Sequence, residues 1–513
     1  MNRRAGNALR WLPALTAAAY VTTVAVMSPG LIDDLYWDSD ASSWFVLAER
    51  LRGDGPVYIP HFPSWTSLWW LLATRDVPGH EELWQAMGYP FAVAGAALLG
   101  WATVRVAGRW AGVTAGATAL IVGPLAVRSQ LTITYHVVPP FTAAVLCAYL
   151  VALARNRSWV LAVAVGVLCG LNAASDPLVW LVAIAPFAIA AAVLTSAIKR
   201  RDLALRAGVA LGTAIVSALA AYGLMRSLGF HLVDIGFRLA DPGDLASNVR
   251  HLGRMVALLG GANYALPGGY PREPLRILLA LLVLVAVAAT VYSGIRHIAR
   301  RSEPVTLAFA CYWATSTVLL GVVFVATTNA AALGAGSVNY LLTLAPAAGA
   351  GVALLAAGSR RAQLVVALAV AGVGAVNMAG IAEGHAGTPK DAIGTYERPV
   401  VRLLTREGVT RGYAGYWDAA NLTWQSGRRV IVSPVSLCDG PRGPSLCAST
   451  FFTIRSWYDE RPGRSFLIVD RSTAFVNEPP AVVQNASASY RFGTLTVYLF
   501  AYNLARQIRR PAP

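Results

Sequence analysis

The chain has 513 residues, of which 56% are hydrophobic and only 13% charged. One soluble core cannot use that much apolar surface, so a bilayer must bury the remainder, and a soluble enzyme is excluded. The formal net charge of +16 would suggest nucleic acid in a soluble protein, but most of the excess sits in short loops between apolar runs, and no nucleic-acid partner is expected.

A helix needs about 20 apolar residues to cross the hydrocarbon layer. Such runs occur at 9–28, 88–107, 111–127, 137–154, 159–174, 178–197, 205–225, 276–295, 305–327, 338–358 and 363–382. They predict an α-helical polytopic membrane protein of about eleven transmembrane helices. The first run follows Arg3, Arg4 and Arg10 without a small-residue cleavage site, so it reads as a retained signal anchor with a cytoplasmic N-terminus. Alternate loops should then be basic, and Arg105/Arg109, Arg155/Arg157, Lys199/Arg200/Arg201, Arg296/Arg300/Arg301 and Arg360/Arg361 all fall on one predicted side. With Lys199 and Lys390 the only lysines, the Ala-, Gly- and Arg-rich composition suggests a GC-rich bacterium and hence a bacterial plasma membrane.

The same alternation makes the loop at 29–86 external; it holds nine acidic residues against three arginines. A second large external loop runs from 226 to 275, within a membrane domain spanning 1–382. Residues 383–513 are predicted as an extracytoplasmic α/β domain. There RRVIVSPV, RSFLIVD and GTLTVYLF read as strands, and DAANLTWQS as a short helix. Cys438 and Cys447 flank the Pro/Gly-rich loop DGPRGPSL, which can turn the chain back, so a disulfide is predicted and an oxidising compartment with it. Cys147, Cys169 and Cys311 lie in apolar runs and read as small core residues.

The predicted spans contain almost no ionisable residue, which directs the search for chemistry to the outer boundary. Just after the first span, Trp44, Leu47, Ala48 and Leu51 form one apolar stripe, with Asp40 as N-cap and Gly53 as stop: an amphipathic helix on the membrane surface. Asp40 either only caps that helix or faces a cavity. Asp38 and Asp40, at i and i+2, could together hold a divalent cation, Mg²⁺ or Mn²⁺, though two carboxylates equally suit a solvated loop. Asp176 in Ser175-Asp176-Pro177 ends the fifth span on the external side, facing the same cavity or merely turning the chain. Tyr413, Tyr416, Trp417 and Trp424 could stack on sugar rings, but at least half of such a group is expected to be core.

Asp40, Trp44, the helix to Arg52 and Pro60-His61-Phe62 together resemble the first outer loop of GT-C glycosyltransferases of the protein O-mannosyltransferase and aminoarabinose lipid A transferase kind. The resemblance implies transfer of a sugar from a polyprenyl-phosphate donor to an envelope acceptor hydroxyl (of a glycan, lipid or protein) at the outer face, with membrane lipids around the helices. It singles out Asp40, with Asp38 beside it, as catalytic: a positioned carboxylate takes the hydroxyl proton as the oxygen attacks the anomeric carbon. The departing lipid phosphate needs no proton but is favoured by cations aimed at its developing charge. His61, Arg128, His136, Arg226, Arg250, His251, Arg254 and Arg272 are all predicted at the outer boundary and are the donor phosphate-binding candidates; each is equally an interfacial side chain among lipid headgroups. Ala41 stands where an acidic residue is usual, no lysine follows Pro60-His61-Phe62, and Asn339 in SVNYLLTLAP stands where an arginine is expected. Those departures allow a non-catalytic envelope assembly protein of the same architecture. A lipid or glycolipid transporter is a further alternative, opposed by the scarcity of intramembrane charge.

Overall fold

The structure, a computed structural model, describes residues 3–33, 43, 56–59, 88–131, 136–155, 158–233, 238–262, 273–327, 334–384, 394–440, 443–449, 451–471 and 480–509. The chain begins with helix α1 (Arg3–Asp33), longer at both ends than the predicted run, and reaches a short strand β1 (Val57–Ile59). Helices α2 (Gly88–Ala107), α3 (Arg109–Leu120), α4 (Pro124–Leu131), α5 (Val138–Leu153) and α6 (Trp159–Ser175) follow. A π-helical stretch, Trp180–Ile184, runs into α7 (Ala185–Ile198), and α8 (Arg201–Ser227) leads to strand β2 (Phe230–Leu232). Next come α9 (Leu245–Leu259), α10 (Glu273–Ala299), α11 (Pro304–Ala326), a 3-10 segment Gly334–Leu341, α12 (Leu344–Ala356) and α13 (Arg360–Ala382).

Among the described residues seven helices are long and apolar enough to cross a membrane, and α3 with α4 make an eighth as a broken span. The shorter apolar helices α5, α6 and α12 occupy the other predicted spans. Their surface says the same as their length. Leu219 on α8, Val285 on α10, Val322 on α11 and Val365 on α13 are large aliphatic side chains more than half exposed, as expected of faces turned to lipid. The protein is a multi-pass membrane protein. Where helices meet each other instead, small residues let the backbones close in: a Cβ on Gly166 would lie 2.5 Å from the Ala210 carbonyl oxygen, and one on Gly170 2.2 Å from that of Ala214. This GxxxG face of α6 seats α8.

The predicted continuous span 111–127 is corrected. The chain bends by 90° between α3 and α4. At the break Gly123 donates its N–H to the Leu259 carbonyl at 2.7 Å, and the Tyr20 hydroxyl donates to the Val122 carbonyl at 2.7 Å. Those bonds replace the helical ladder where there is no water to do so, and a Cβ at Gly123 would clash with the Leu258 carbonyl at 2.4 Å. Hydropathy cannot see such a bend, because Pro124 and Gly123 interrupt the ladder without interrupting the apolar run.

The C-terminal part starts with α14 (Gly394–Arg406) and then β3 (Arg411–Ala414), α15 (Tyr416–Gln425), β4 (Ile431–Gly440), β5 (Gly443–Ala448), β6 (Thr453–Ile454), β7 (Ser465–Asp470), β8 (Ala488–Phe492), β9 (Leu495–Phe500) and β10 (Ile508–Arg509). Seven of these strands form one mixed sheet in the order β10-β5-β4-β3-β7-β9-β8, with β3 parallel to both β4 and β7. The predicted strands and the helix at DAANLTWQS are all present. Cys438 and Cys447 are joined by a disulfide across the β4–β5 hairpin.

A second, three-stranded sheet in the order β2-β1-β6 joins segments far apart in sequence. Val57–Ile59, from the first long loop, pairs in parallel with Phe230–Leu232 and antiparallel with Thr453–Ile454. Its apolar side is a small core of Val57, Ile59, Met225, Phe230, Phe452 and Ile454. Ser43, the described residue nearest Asp40, is buried there at the edge of a small cavity walled by Tyr416, Pro434, Phe452 and Trp457 of the C-terminal part. The two long loops and the C-terminal part therefore share one end of the bundle.

Candidate functional site

One group of the described polar side chains lies where α4, the start of α5, the end of α6, α9 and the 3-10 segment meet. The bend before α4 carries Arg128, Ser129 and Gln130 off the line of α3 and against Gly334–Leu341 and α9. Ser129 is hydrogen-bonded to Asn339, the residue that stands in place of the expected arginine. Arg128 is half-buried, while Ser129 and Gln130 are buried. The Gln130 Oε1 has no hydrogen-bond partner among the described residues.

Beside them, His136 precedes α5 and Asp176 ends α6. Their Nδ1 and Oδ2 lie 2.6 Å apart, with side chains 27% and 13% exposed. The other carboxylate oxygen of Asp176 accepts the Leu178 N–H at 2.9 Å, so the residue both turns the chain and holds the imidazole. The His136 ring lies 4.5 Å from that of Tyr340 in the 3-10 segment. On the far side of that segment the His251 Nε2 is 2.8 Å from the Ser337 hydroxyl, and its ring stacks on Phe324 at 5.9 Å. Asn248, one turn before, donates to the Val325 carbonyl at 2.9 Å and closes the end of α11.

Of the donor-phosphate candidates, the structure thus brings Arg128, His136 and His251 to one 3-10 segment. Arg250 and Arg254 on α9 and Arg226 at the end of α8 are exposed, unlike the half-buried Arg128. Asp38, Asp40, His61 and Arg272 lie outside the described residues. Sequence reasoning missed Gln130, which looks like an ordinary polar residue of an apolar run, and in the SVNYLLTLAP segment singled out for Asn339 it gave Ser337 and Tyr340 no role; only the bend at Gly123 and the 3-10 geometry make them neighbours. Among the described residues no group of three or more His, Cys, Asp or Glu side chains gathers as a metal site. Of the aromatic group in the C-terminal part, Tyr413 is buried, Tyr416 packs on Phe451 and Phe452, Trp424 stacks under Arg428, and Trp417 alone is exposed, at 42%.

A helical bundle with a broken third span, a polar cluster at one end, and loops tied by a sheet to a β-rich C-terminal part defines a polytopic membrane protein of GT-C-like fold. ArnT from Cupriavidus metallidurans bound to undecaprenyl phosphate is similar to this chain over 94% of this chain and 97% of its own, at 14% identity and a TM-score of 0.54. Its apo state matches over the same shares at 12% identity and a TM-score of 0.52. The oligosaccharyltransferase AglB from Archaeoglobus fulgidus, in complex with an inhibitory peptide and a dolichol-phosphate, matches over 94% of this chain and 74% of its own, at 12% identity and a TM-score of 0.48. No family model matches the chain, and no curated protein matches it.

Proposed function

We propose that the protein transfers a sugar from a polyprenyl-phosphate donor to an acceptor hydroxyl at the outer face of the plasma membrane, with its N-terminus in the cytoplasm and residues 383–513 as an extracytoplasmic domain. The observation that carries this reading is the convergence of Arg128, His136 and His251 on Gly334–Leu341, at the end of the bundle where the first loop is tied down. The fold shared with a protein seen with undecaprenyl phosphate supports it.

The chemistry divides between the loop and the cluster. Asp40, in the first loop, takes the proton of the acceptor hydroxyl as its oxygen bonds to the anomeric carbon. The bond from that carbon to the phosphate oxygen breaks, and the electron pair leaves with the lipid phosphate. Arg128 and the imidazoles supply positive charge and N–H donors where that negative charge grows; in a site shielded from water such donors stabilise a leaving group far better than they would in solution. Asp38 and Asp40 could hold Mg²⁺ or Mn²⁺, which would add charge on the donor side.

A second reading has a specific observation behind it. Asn339 neutralises the position where the family carries an arginine and is hydrogen-bonded to Ser129, as a non-catalytic envelope assembly protein would allow. The test supplies the purified chain with radiolabelled polyprenyl-phosphate hexoses and pentoses and envelope acceptors, comparing the wild type with Asp40→Asn and Arg128→Ala. Transfer by the wild type, reduced at least a hundredfold by either substitution, is the expected result. Equal transfer by Asp40→Asn refutes Asp40 as base, and no transfer by any form across the donor panel favours the assembly reading.

A further inference from the structure

We infer that Asp176 is a positioning residue: it fixes the protonation pattern and aim of His136, so that His136 Nε2 becomes a donor to the phosphate of the lipid carrier. The inference rests on the lipid-phosphate reading above and adds to it a residue that approaches no reacting atom.

The geometry carries the argument. A histidine has two ring nitrogens, and the bond made by one decides what the other can offer. Here Nδ1 is 2.6 Å from the Asp176 Oδ2. A carboxylate can only accept, so the proton on that edge belongs to Nδ1. Nε2, on the opposite edge, is left to meet a ligand, and it can donate to an anionic oxygen only in the imidazolium form. In that form the Asp176 carboxylate is the counter-charge, and the ring lies against Tyr340. The aspartate is itself fixed, because Oδ1 accepts the Leu178 N–H at 2.9 Å in the turn that ends α6. Both members are largely shielded, at 27% and 13% side-chain exposure. An ion pair that served folding alone would gain little from lying at the edge of a polar cluster containing the buried, unpartnered Gln130 Oε1. That atom is the second sign that a polar ligand completes the site.

Asp176→Asn is the informative variant. Its amide oxygen still accepts the Leu178 N–H, so the turn is kept, while the charge beside Nδ1 is lost. The full chain is labelled with 15N-histidine, the His136 signals are assigned by their loss in His136→Gln, and undecaprenyl phosphate is titrated in parallel with undecaprenol. With undecaprenyl phosphate bound, the wild-type ring should carry protons on both nitrogens, and the Asp176→Asn ring on one only. Affinity for undecaprenyl phosphate should fall at least tenfold in Asp176→Asn and recover in part in Asp176→Glu, whereas undecaprenol binding should not change. If Asp176→Asn alters the His136 signals but binds undecaprenyl phosphate as tightly as the wild type, the role of Asp176 is overturned and lipid-phosphate binding stands. If the wild type binds the phosphate no better than the alcohol, the lipid-phosphate reading falls and the inference with it. A wild-type ring protonated on Nε2 alone overturns the proposed pairing directly.

Discussion

Asp418 offers a test of the C-terminal part that needs no substrate. It sits in the first turn of α15, where the helix dipole favours a carboxylate. Yet its side chain is only 6% exposed and its Oδ2 has no hydrogen-bond partner among the described residues. Burial, and then the nearby Asp470, push its carboxyl up to about 8. The unfolded chain returns it to about 3.9, so between those values the folded state holds a proton that the unfolded state releases. Stability must therefore fall as pH rises from about 4 to about 8 and level off above that. At ~1.4 kcal/mol per unit the full loss is on the order of 5 kcal/mol, a large part of a domain's stability. Asp418→Asn removes the titration and keeps the shape. The measurement is resistance of residues 394–509 to protease on heating, in the detergent-solubilised full chain, at pH 5.5, 7.0 and 8.5. The wild type should lose resistance across this series, and the variant should exceed it most at pH 8.5. A variant weaker than the wild type at pH 8.5 would show that Asp418 works as a buried anion, and the reasoning would fail.

Gly170→Leu should prevent α6 from seating on α8, since even a Cβ meets the Ala214 carbonyl at 2.2 Å; a loss of more than about 3 kcal/mol, seen as a large drop in thermal midpoint in detergent, is expected. Replacing Cys438 and Cys447 together by serine opens a loop of sequence separation 9 and should destabilise the sheet by about 2.5 kcal/mol, read by chemical denaturation. Ile454→Asp would put a charge into the fully buried core beneath the three-stranded sheet; proteolysis should then release the C-terminal part while the helices stay folded, at a penalty of several kcal/mol.

The spans were legible because each is a long apolar run, and the strands at 431–440, 465–470 and 495–500 because β-branched residues cluster between turns. The disulfide was legible from the turn between its cysteines. What could not be read was whatever depends on a partner remote in sequence. Gly123 breaks a span because Leu259 and Tyr20 are there to receive the freed backbone. Val57–Ile59, three apolar residues in an acidic loop, become a strand only because Phe230–Leu232 and Thr453–Ile454 flank them. Arg128, Arg250 and Arg254 looked equivalent as basic residues near a boundary. Burial separates them: Arg128 is half-buried on α4, beside Ser129 and Gln130, whereas Arg250 and Arg254 are exposed on α9.

That small sheet bears on how the proposed reaction is organised. The first loop carries the proposed base, whereas the proposed phosphate contacts stand on α4, α9, the residue before α5 and the 3-10 segment, so in that reading the two halves of the chemistry are on different elements. A base must be placed to within a fraction of an ångström of its proton to be effective. An apolar strand of three residues has too little pairing of its own to do this. It is held because Val57 donates to the Gly229 carbonyl at 2.9 Å and Pro56 accepts from the Arg455 N–H at 3.1 Å, tying residues 56–59 both to the segment after α8 and to the C-terminal part. On this account the C-terminal part contributes to transfer as a brace for the first loop, independently of whatever acceptor it contacts. Loosening the brace through Ile454→Asp should therefore lower the rate of transfer more than the affinity for undecaprenyl phosphate, because the proposed phosphate contacts lie outside the three-stranded sheet.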